Sequence, residues 1–327
     1  MPVLYINDHG ATIGVVNERV QVRRQGKVVQ EMPALHLERI VLMAPAYITQ
    51  PAVRFLMERG IDIAYLSPNG TFYGQFTRGD GAFVEQRLAQ FRKFHDQAFR
   101  LALAKAFIHG KTQNMLALWR RQRRPKDWAA DLAQLGRISQ AVAKAPTLSH
   151  LLGLEGSATA LHFGILRRVL QGHWGFERRL HHPSPDPVNA MLSLGYTLLY
   201  SRMAGLLQMH GLDPYLGFFH EPKRGHAALA SDMIEEWRCP IVDNLILHLI
   251  NTRKIAPGDF QKKGGECRMA RPALTKFIFA FEQRLQKQKA LAADQSSGDP
   301  VGGLEGQVRQ LIRVLLGKQK QYVPVAA

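Results

Sequence analysis

Ile61-Asp62-Ile63-Ala64-Tyr65-Leu66-Ser67-Pro68-Asn69-Gly70-Thr71-Phe72-Tyr73-Gly74-Gln75-Phe76 carries the strongest local signal in the chain. Two β-branched and aromatic runs flank a polar break, and Asn69-Gly70 can take the positive φ values of a tight hairpin turn. Working upstream, residues 49–60 read as a short helix with Pro51 near its start and Gly60 after its end. Before it, 3–6, 12–16 and 19–22 are β-rich runs separated by Asp8-His9-Gly10 and Asn17-Glu18. Downstream, from Ala82, the pattern changes to helix. Phe91, Phe94, Ala98, Leu101 and Lys105 keep a three-four spacing, and further helices fit about 105–121, 127–143, 157–171, 187–210, 227–237, 240–252, 269–289 and 304–320. The expected fold class is α+β: a small N-terminal β-rich domain over 1–85, then a larger all-α domain over 86–327.

Charge divides the 327 residues at the same place. Residues 1–85 have no net charge, 86–150 carry +10 and 151–327 carry +7, together the chain's +17. An excess of that size points to a polyanionic partner, nucleic acid or an anionic surface. No stretch of about 20 residues is apolar and uncharged, so no spanning helix is expected. The start, MPVLYIND, lacks the pattern of a signal peptide, and Cys239 and Cys267 are too far apart for a CxxC pair. A cytoplasmic protein with two reduced thiols is the expectation. The densest cationic cluster is Arg120-Arg121-Gln122-Arg123-Arg124, a candidate phosphate-binding surface that would be indifferent to sequence. Lys262-Lys263-Gly264-Gly265 reads as a flexible phosphate-contacting loop.

Acidic residues are scarce in this basic region, which makes their grouping informative. Asp232, Glu235 and Glu236 fall within little more than one helical turn, and His220 precedes that helix closely enough to fold back over it. Carboxylates with one imidazole suit Mg²⁺ or Mn²⁺ better than zinc. On a wheel of about 100° per residue, Leu229, Met233 and Trp237 form an apolar stripe, with Asp232 and Glu235 on a face turned away from it. Glu236 flanks the stripe, where it is expected to pair with a base or meet solvent. Glu155 stands between Gly153 and Gly156 at the expected entry of a helix, a favourable place for a charge near the positive helix end. Lys223, Arg224 and His226, between His220 and the helix, are further candidates for phosphate contacts.

Four segments in this order, Gly153-Leu154-Glu155-Gly156, 185–193 (PDPVNAMLS), 211–220 (GLDPYLGFFH) and 229–236 (LASDMIEE), resemble the CRISPR-associated endonuclease and integrase family of the spacer-acquisition complex. Pro68-Asn69-Gly70 and Lys111-Thr112-Gln113-Asn114 also match its pattern, so the likeness spans nearly the whole chain. The resemblance implies a homodimer formed largely through the β-domain. It also implies a metal-dependent nuclease and DNA integrase acting on double-stranded and branched DNA with a small ferredoxin-like partner subunit. It makes Glu155, His220 and Glu235 the ligands of Mg²⁺ or Mn²⁺ and Asp232 a further catalytic carboxylate. Seven residues after Glu155, where the family usually carries Tyr, this chain has His162, expected here as a nucleic-acid contact through its imidazole. Two other readings compete: a non-catalytic DNA-binding scaffold, and a metallohydrolase of a small phosphorylated substrate that leaves the +10 segment unexplained.

Overall fold

The computed structural model describes residues 3–67, 72–76, 83–122, 128–170, 172–180, 183–293 and 303–325. The chain divides into two compact units, Met1–Ala82 and Phe83–Ala327.

The first unit holds two four-stranded sheets. One has the order β1 (Val3–Ile6), β5 (Arg39–Leu42), β7 (Asp62–Leu66), β8 (Phe72–Phe76); the other β4 (Lys27–Pro33), β3 (Arg19–Arg24), β2 (Thr12–Val16), β6 (Tyr47–Ile48). β7 and β8 pair antiparallel, as the hairpin reading expects, while Asn69-Gly70 lies outside the described residues. β1, β5 and β7 run parallel. All four residues of β5 are buried, the near-continuous apolar run of a parallel strand covered on both faces. A search for alternating runs passes over such a strand. The helix α1 (Gln50–Glu58) leads into β7. Thr49 caps it by accepting from Ala52 N–H, Pro51 sits in its first turn, and Gly60 follows at φ +67. Ile6, Ile13, Val20, Ile40, Leu56 and Ile63 lie in the core of this unit.

The second unit is helical: α2 (Val84–His95), α3 (Gln97–Arg120), α4 (Ala129–Lys144), α5 (Leu148–Val169), α6 (Pro187–Met209), α7 (Ala228–Trp237), α8 (Asn244–Asn251), α9 (Arg271–Ala293) and α10 (Gly303–Leu315). α3 packs against α4, α5 and α7. Its N-cap, Asp96, accepts from Phe99 N–H at 3.0 Å, so the helix expected from 105 begins eight residues earlier. α5 likewise starts at Leu148 under a Thr147 cap. Glu155 therefore stands inside a helix rather than at its positive end. α6 begins as its sequence predicts, with Asp186 capping and Pro187 in the first turn. A π-helical turn, Arg238–Asp243, joins α7 to α8. The lysine-glycine segment expected as a flexible loop is the turn of a hairpin between β9 (Phe260–Lys263) and β10 (Glu266–Met269), with Gly264 and Gly265 at φ +59 and +78.

Among the described residues, no helix is long and apolar enough to cross a membrane. Cys239 and Cys267 are free and buried.

Candidate metal centre

Three helices and one loop bring the acidic cluster together. α5 supplies Glu155, α7 supplies Asp232 and Glu235, the loop before α7 supplies His220, and α3 contributes a residue that sequence reasoning gave no role, Lys111.

The loop is fixed first. Gln90 on α2 donates to the carbonyls of Asp213 and Leu216 and accepts from Asp213 N–H. Arg100 on α3, buried, donates to Phe218 O at 3.3 Å and pairs with Glu221 at 2.9 Å. Asp232 completes the clamp. Its Oδ2 accepts from Phe218 N–H and Phe219 N–H at 2.6 and 2.9 Å, and its Oδ1 accepts from His220 N–H at 2.8 Å. Gly217 lets the loop come this close: a Cβ there would lie 2.8 Å from the Ala228 carbonyl carbon and 2.9 Å from Asp232 Oδ2.

Asp232 Oδ1 also lies 2.7 Å from His220 Nδ1. A carboxylate can only accept here, so Nδ1 carries the proton and Nε2 keeps its lone pair on the side of Glu235, whose Oε1 is 4.0 Å away. The structure thus corrects the sequence reading of Asp232. Both of its oxygens are committed to orienting the loop and the imidazole, and it is fully buried rather than facing a cleft. Burial pushes the His220 pKa down, but the Asp232 hydrogen bond and the Asp232 and Glu235 charges outweigh that and hold it above the ordinary value.

Glu235 is buried among cations. Arg238 Nη1 lies 2.9 Å from its Oε1 and Lys111 Nζ 2.6 Å from its Oε2. Burial alone would raise its pKa, but Arg238, Lys111 and His220 pull it down to about 2. The same Lys111 ammonium touches Glu155 Oε1, which also accepts from Thr159 Oγ1 at 2.8 Å. One signal for Lys111 was legible: it continues the buried series Phe107, Ile108, Met115, Leu118 on α3, where a lysine needs a partner.

Glu236 goes elsewhere. It is fully buried, contrary to the expected solvent or basic neighbour at a core edge. Its Oε1 hydrogen-bonds Tyr322 Oη and its Oε2 accepts from Val325 N–H at 2.7 Å, while Asn114 Nδ2 joins the Glu236 carbonyl to that of Val325. Burial pushes the Glu236 pKa up to about 8. The expected one-sided apolar stripe is also replaced, since every residue of α7 is buried.

His162, expected from the sequence as a nucleic-acid contact, is fully buried. Trp119 Nε1–H donates to its Nδ1 at 3.0 Å, and its Nε2 lies 2.9 Å from Asp243 Oδ2. Asp243 Oδ1 accepts from Tyr196 Oη at 2.5 Å. Among the described residues, His162, Cys239 and Asp243 are the only three ligand-type side chains whose donor atoms lie within 4.8 Å of one another. This is a core network rather than an open site: all three are buried and both imidazole nitrogens already face partners. The neighbouring thiol donates to Asn114 O, and burial, then the Asp243 charge, holds its pKa well above the ordinary value.

Lys223 and Arg224 are exposed on a tight turn closed by a bridge between Lys223 and His226. The His226 ring stacks 6.0 Å from Tyr200, lies 6.3 Å from the His220 ring, and contacts Ser231 Oγ at 3.1 Å. Arg120 and Arg121 are exposed at the end of α3, while Arg123 and Arg124 lie outside the described residues.

Comparison with known proteins places the chain in a family. The family profile described as "CRISPR associated protein Cas1" matches residues 4–283. A CRISPR-associated endonuclease Cas1 of Thermus thermophilus is 33% identical over 325 residues, covering 98% of this chain and 94% of the relative. Among solved structures, a chain of a "Cas6-RT-Cas1--Cas2 complex" superposes with a TM-score of 0.85 at 25% identity, over 99% of this chain and 36% of that one. A Cas1 protein from Thermotoga maritima has the same fold, with a TM-score of 0.83 at 21% identity and full coverage of both chains.

Proposed function

This chain belongs to the Cas1 family of CRISPR-associated proteins, and on that premise we propose that it is a metal-dependent DNA endonuclease and integrase acting in CRISPR adaptation. The observation that carries the reading is that Glu155 and Glu235 both reach the Lys111 ammonium, while Asp232 holds the imidazole Nε2 of His220 toward Glu235, 4.0 Å from its Oε1. Two carboxylates and one imidazole are a donor set that fits Mg²⁺ or Mn²⁺. Such an ion supplies Lewis-acid stabilisation of the charge that builds on a phosphodiester under attack.

The chain's own residues prepare that chemistry. Glu235, held near a pKa of 2, stays an anion at any physiological pH. Asp232 fixes the imidazole tautomer, and Arg238 and Lys111 hold the carboxylates of Glu235 and Glu155 in place by charge. The exposed Lys223–His226 turn, beside His220, and Arg120 and Arg121 are suited to hold strands by their phosphates. Chemically, a 3′-hydroxyl or water attacks phosphorus, the opposite P–O bond breaks, and the nucleophile's proton is exchanged through solvent for one on the leaving oxygen. No covalent enzyme intermediate is needed. Strand positioning then supplies much of the catalysis.

The proposed assembly is a homodimer with a small ferredoxin-like Cas2-type subunit. β4 is an edge strand of its sheet with Val28 and Val29 exposed on it, an edge suited to meeting a second copy. The assay is joining of a short duplex to a supercoiled target in Mn²⁺ or in chelator. Joined product only with metal is expected. DNA binding with no joining under either condition would favour the scaffold reading instead.

A further inference from the structure

Lys111 is the least expected group in the site. Its side chain is only 3% exposed, on a helix face shared with Phe107, Ile108, Asn114, Met115 and Leu118. Removing an ammonium from water costs several kcal/mol unless opposite charge compensates it. The compensation is two carboxylates from two different helices, Glu155 of α5 and Glu235 of α7. Arg238 takes the other oxygen of Glu235. Among these four side chains two anions meet two cations, so Glu155 and Glu235 are balanced before any divalent ion arrives, while Asp232 is paired with His220.

We propose that Lys111 is the resident counter-cation of this site: it holds Glu155 and Glu235 together while no divalent ion is bound, and it makes ion binding depend on the arrival of DNA phosphate. The inference rests on the reading of Glu155, His220 and Glu235 as ion ligands, and it casts Lys111 as a positioning residue. A dication entering the balanced group finds its carboxylates already neutralised and two cations close by. At separations of a few ångströms inside a protein, such repulsion is a strong opposing effect. A phosphodiester brings the missing negative charge, so ion and DNA should each tighten the other, and by the same factor. A purely structural ion pair would stabilise the fold without linking the two ligands.

Mn²⁺ binding measured by electron paramagnetic resonance separates the two. The full chain is titrated alone and with a short duplex whose 3′ ends are dideoxy, so that no strand is joined. For the wild type, the duplex should lower the Mn²⁺ Kd about tenfold or more. Lys111→Met should bind Mn²⁺ about tenfold tighter than wild type without DNA and lose most of the duplex effect, whereas Lys111→Arg should keep wild-type behaviour. A wild-type Kd unmoved by DNA, or a folded Lys111→Met with unchanged or weaker affinity, overturns the inference. If the Met variant unfolds without ion, its melting temperature must rise more with Mn²⁺ than the wild type's does; an equal or smaller rise overturns it too. Mn²⁺ binding that is absent from the wild type, or identical in Glu235→Gln, would remove the ion site and the functional reading with it, a result distinguishable from failure of Lys111 alone.

Discussion

Glu235 and Glu236 are consecutive residues of one helix, both withdrawn from water, yet they end in opposite ionisation states. Glu235 is held at about 2 and Glu236 at about 8. Burial raises both, so burial does not decide between them. The neighbours do. On the Glu235 side, Arg238, Lys111 and His220 approach from three elements. On the Glu236 side, the partners are a phenol and a backbone N–H of the C-terminal segment, which are dipoles without charge. Gly110 belongs to the same packing, since a Cβ there would meet Pro324 at 2.6 Å and Glu236 at 3.2 Å. One face of α7 is thus an anion set among basic side chains, and the next is a neutral clamp that holds the end of the chain against α3.

The comparison is most open to attack through activity. Glu235→Gln preserves size and removes the anion, and joining over a Mn²⁺ titration should fall at least about a hundredfold, with duplex affinity in chelator close to that of the wild type. Glu236→Gln in the same assay should stay within a few-fold of wild type. Equal losses would mean that the two faces do not divide the work as their charges indicate. Asp232→Asn should cost less than Glu235→Gln, about ten- to a hundredfold, and should shift the Mn²⁺ concentration at half-activity upward, because it loosens the imidazole rather than deleting a donor. An unchanged Mn²⁺ dependence would contradict its role as the orienter of His220.

The clamp face should show itself in stability. Glu236→Ala deletes both contacts and leaves Tyr322 Oη and Val325 N–H without them, a loss of about 2–4 kcal/mol. Urea unfolding should register that as a lower midpoint, while the folded fraction still binds duplex. Tyr322→Phe, which removes one contact and leaves the other, should lose less. A Glu236→Ala midpoint equal to wild type would show the C-terminal contacts to be incidental.

Much of the fold was legible because it is written locally. The α+β division, the β7–β8 pairing and the starts of α1 and α6 follow from turn residues, N-caps and prolines within a few positions of where they act. What escaped depends on distant partners. β5 lacks alternation because both its faces are covered, and α5 begins seven residues before Glu155 because Thr147 caps it, despite two glycines that looked like a helix boundary. In the candidate site, the order of the motifs and the grouping of Asp232, Glu235 and Glu236 were visible. Their division of labour was not, because a helical wheel assigns directions without neighbours. Asp232 turns to the backbone of 218–220, Glu236 to residues almost ninety positions later, and His162 to Trp119 and Asp243 in the core. Lys111 is the intermediate case. Its place in an apolar series gave notice of a buried cation, but its two carboxylates come from helices that only the tertiary fold brings together.

The finest test of the comparison is the pH dependence of stability at Glu236. Its folded pKa of about 8 lies above the ordinary 4.5, so between these values the folded chain keeps a proton that the unfolded chain releases. Stability from this group is therefore full below about pH 4.5, falls as pH rises, and stops falling above about 8. The slope from one such group is at most about 1.4 kcal/mol per pH unit. Glu236→Gln should remove that slope while keeping the clamp: its carbonyl can accept from Val325 N–H and its amide can donate to Tyr322 Oη. Urea midpoints taken from pH 5 to pH 8.5 should converge at the acid end and separate at the alkaline end, with the Gln variant the more stable. Parallel curves would place Glu236 in the same ionised state as Glu235, and the contrast between the two faces of α7 would have to be abandoned.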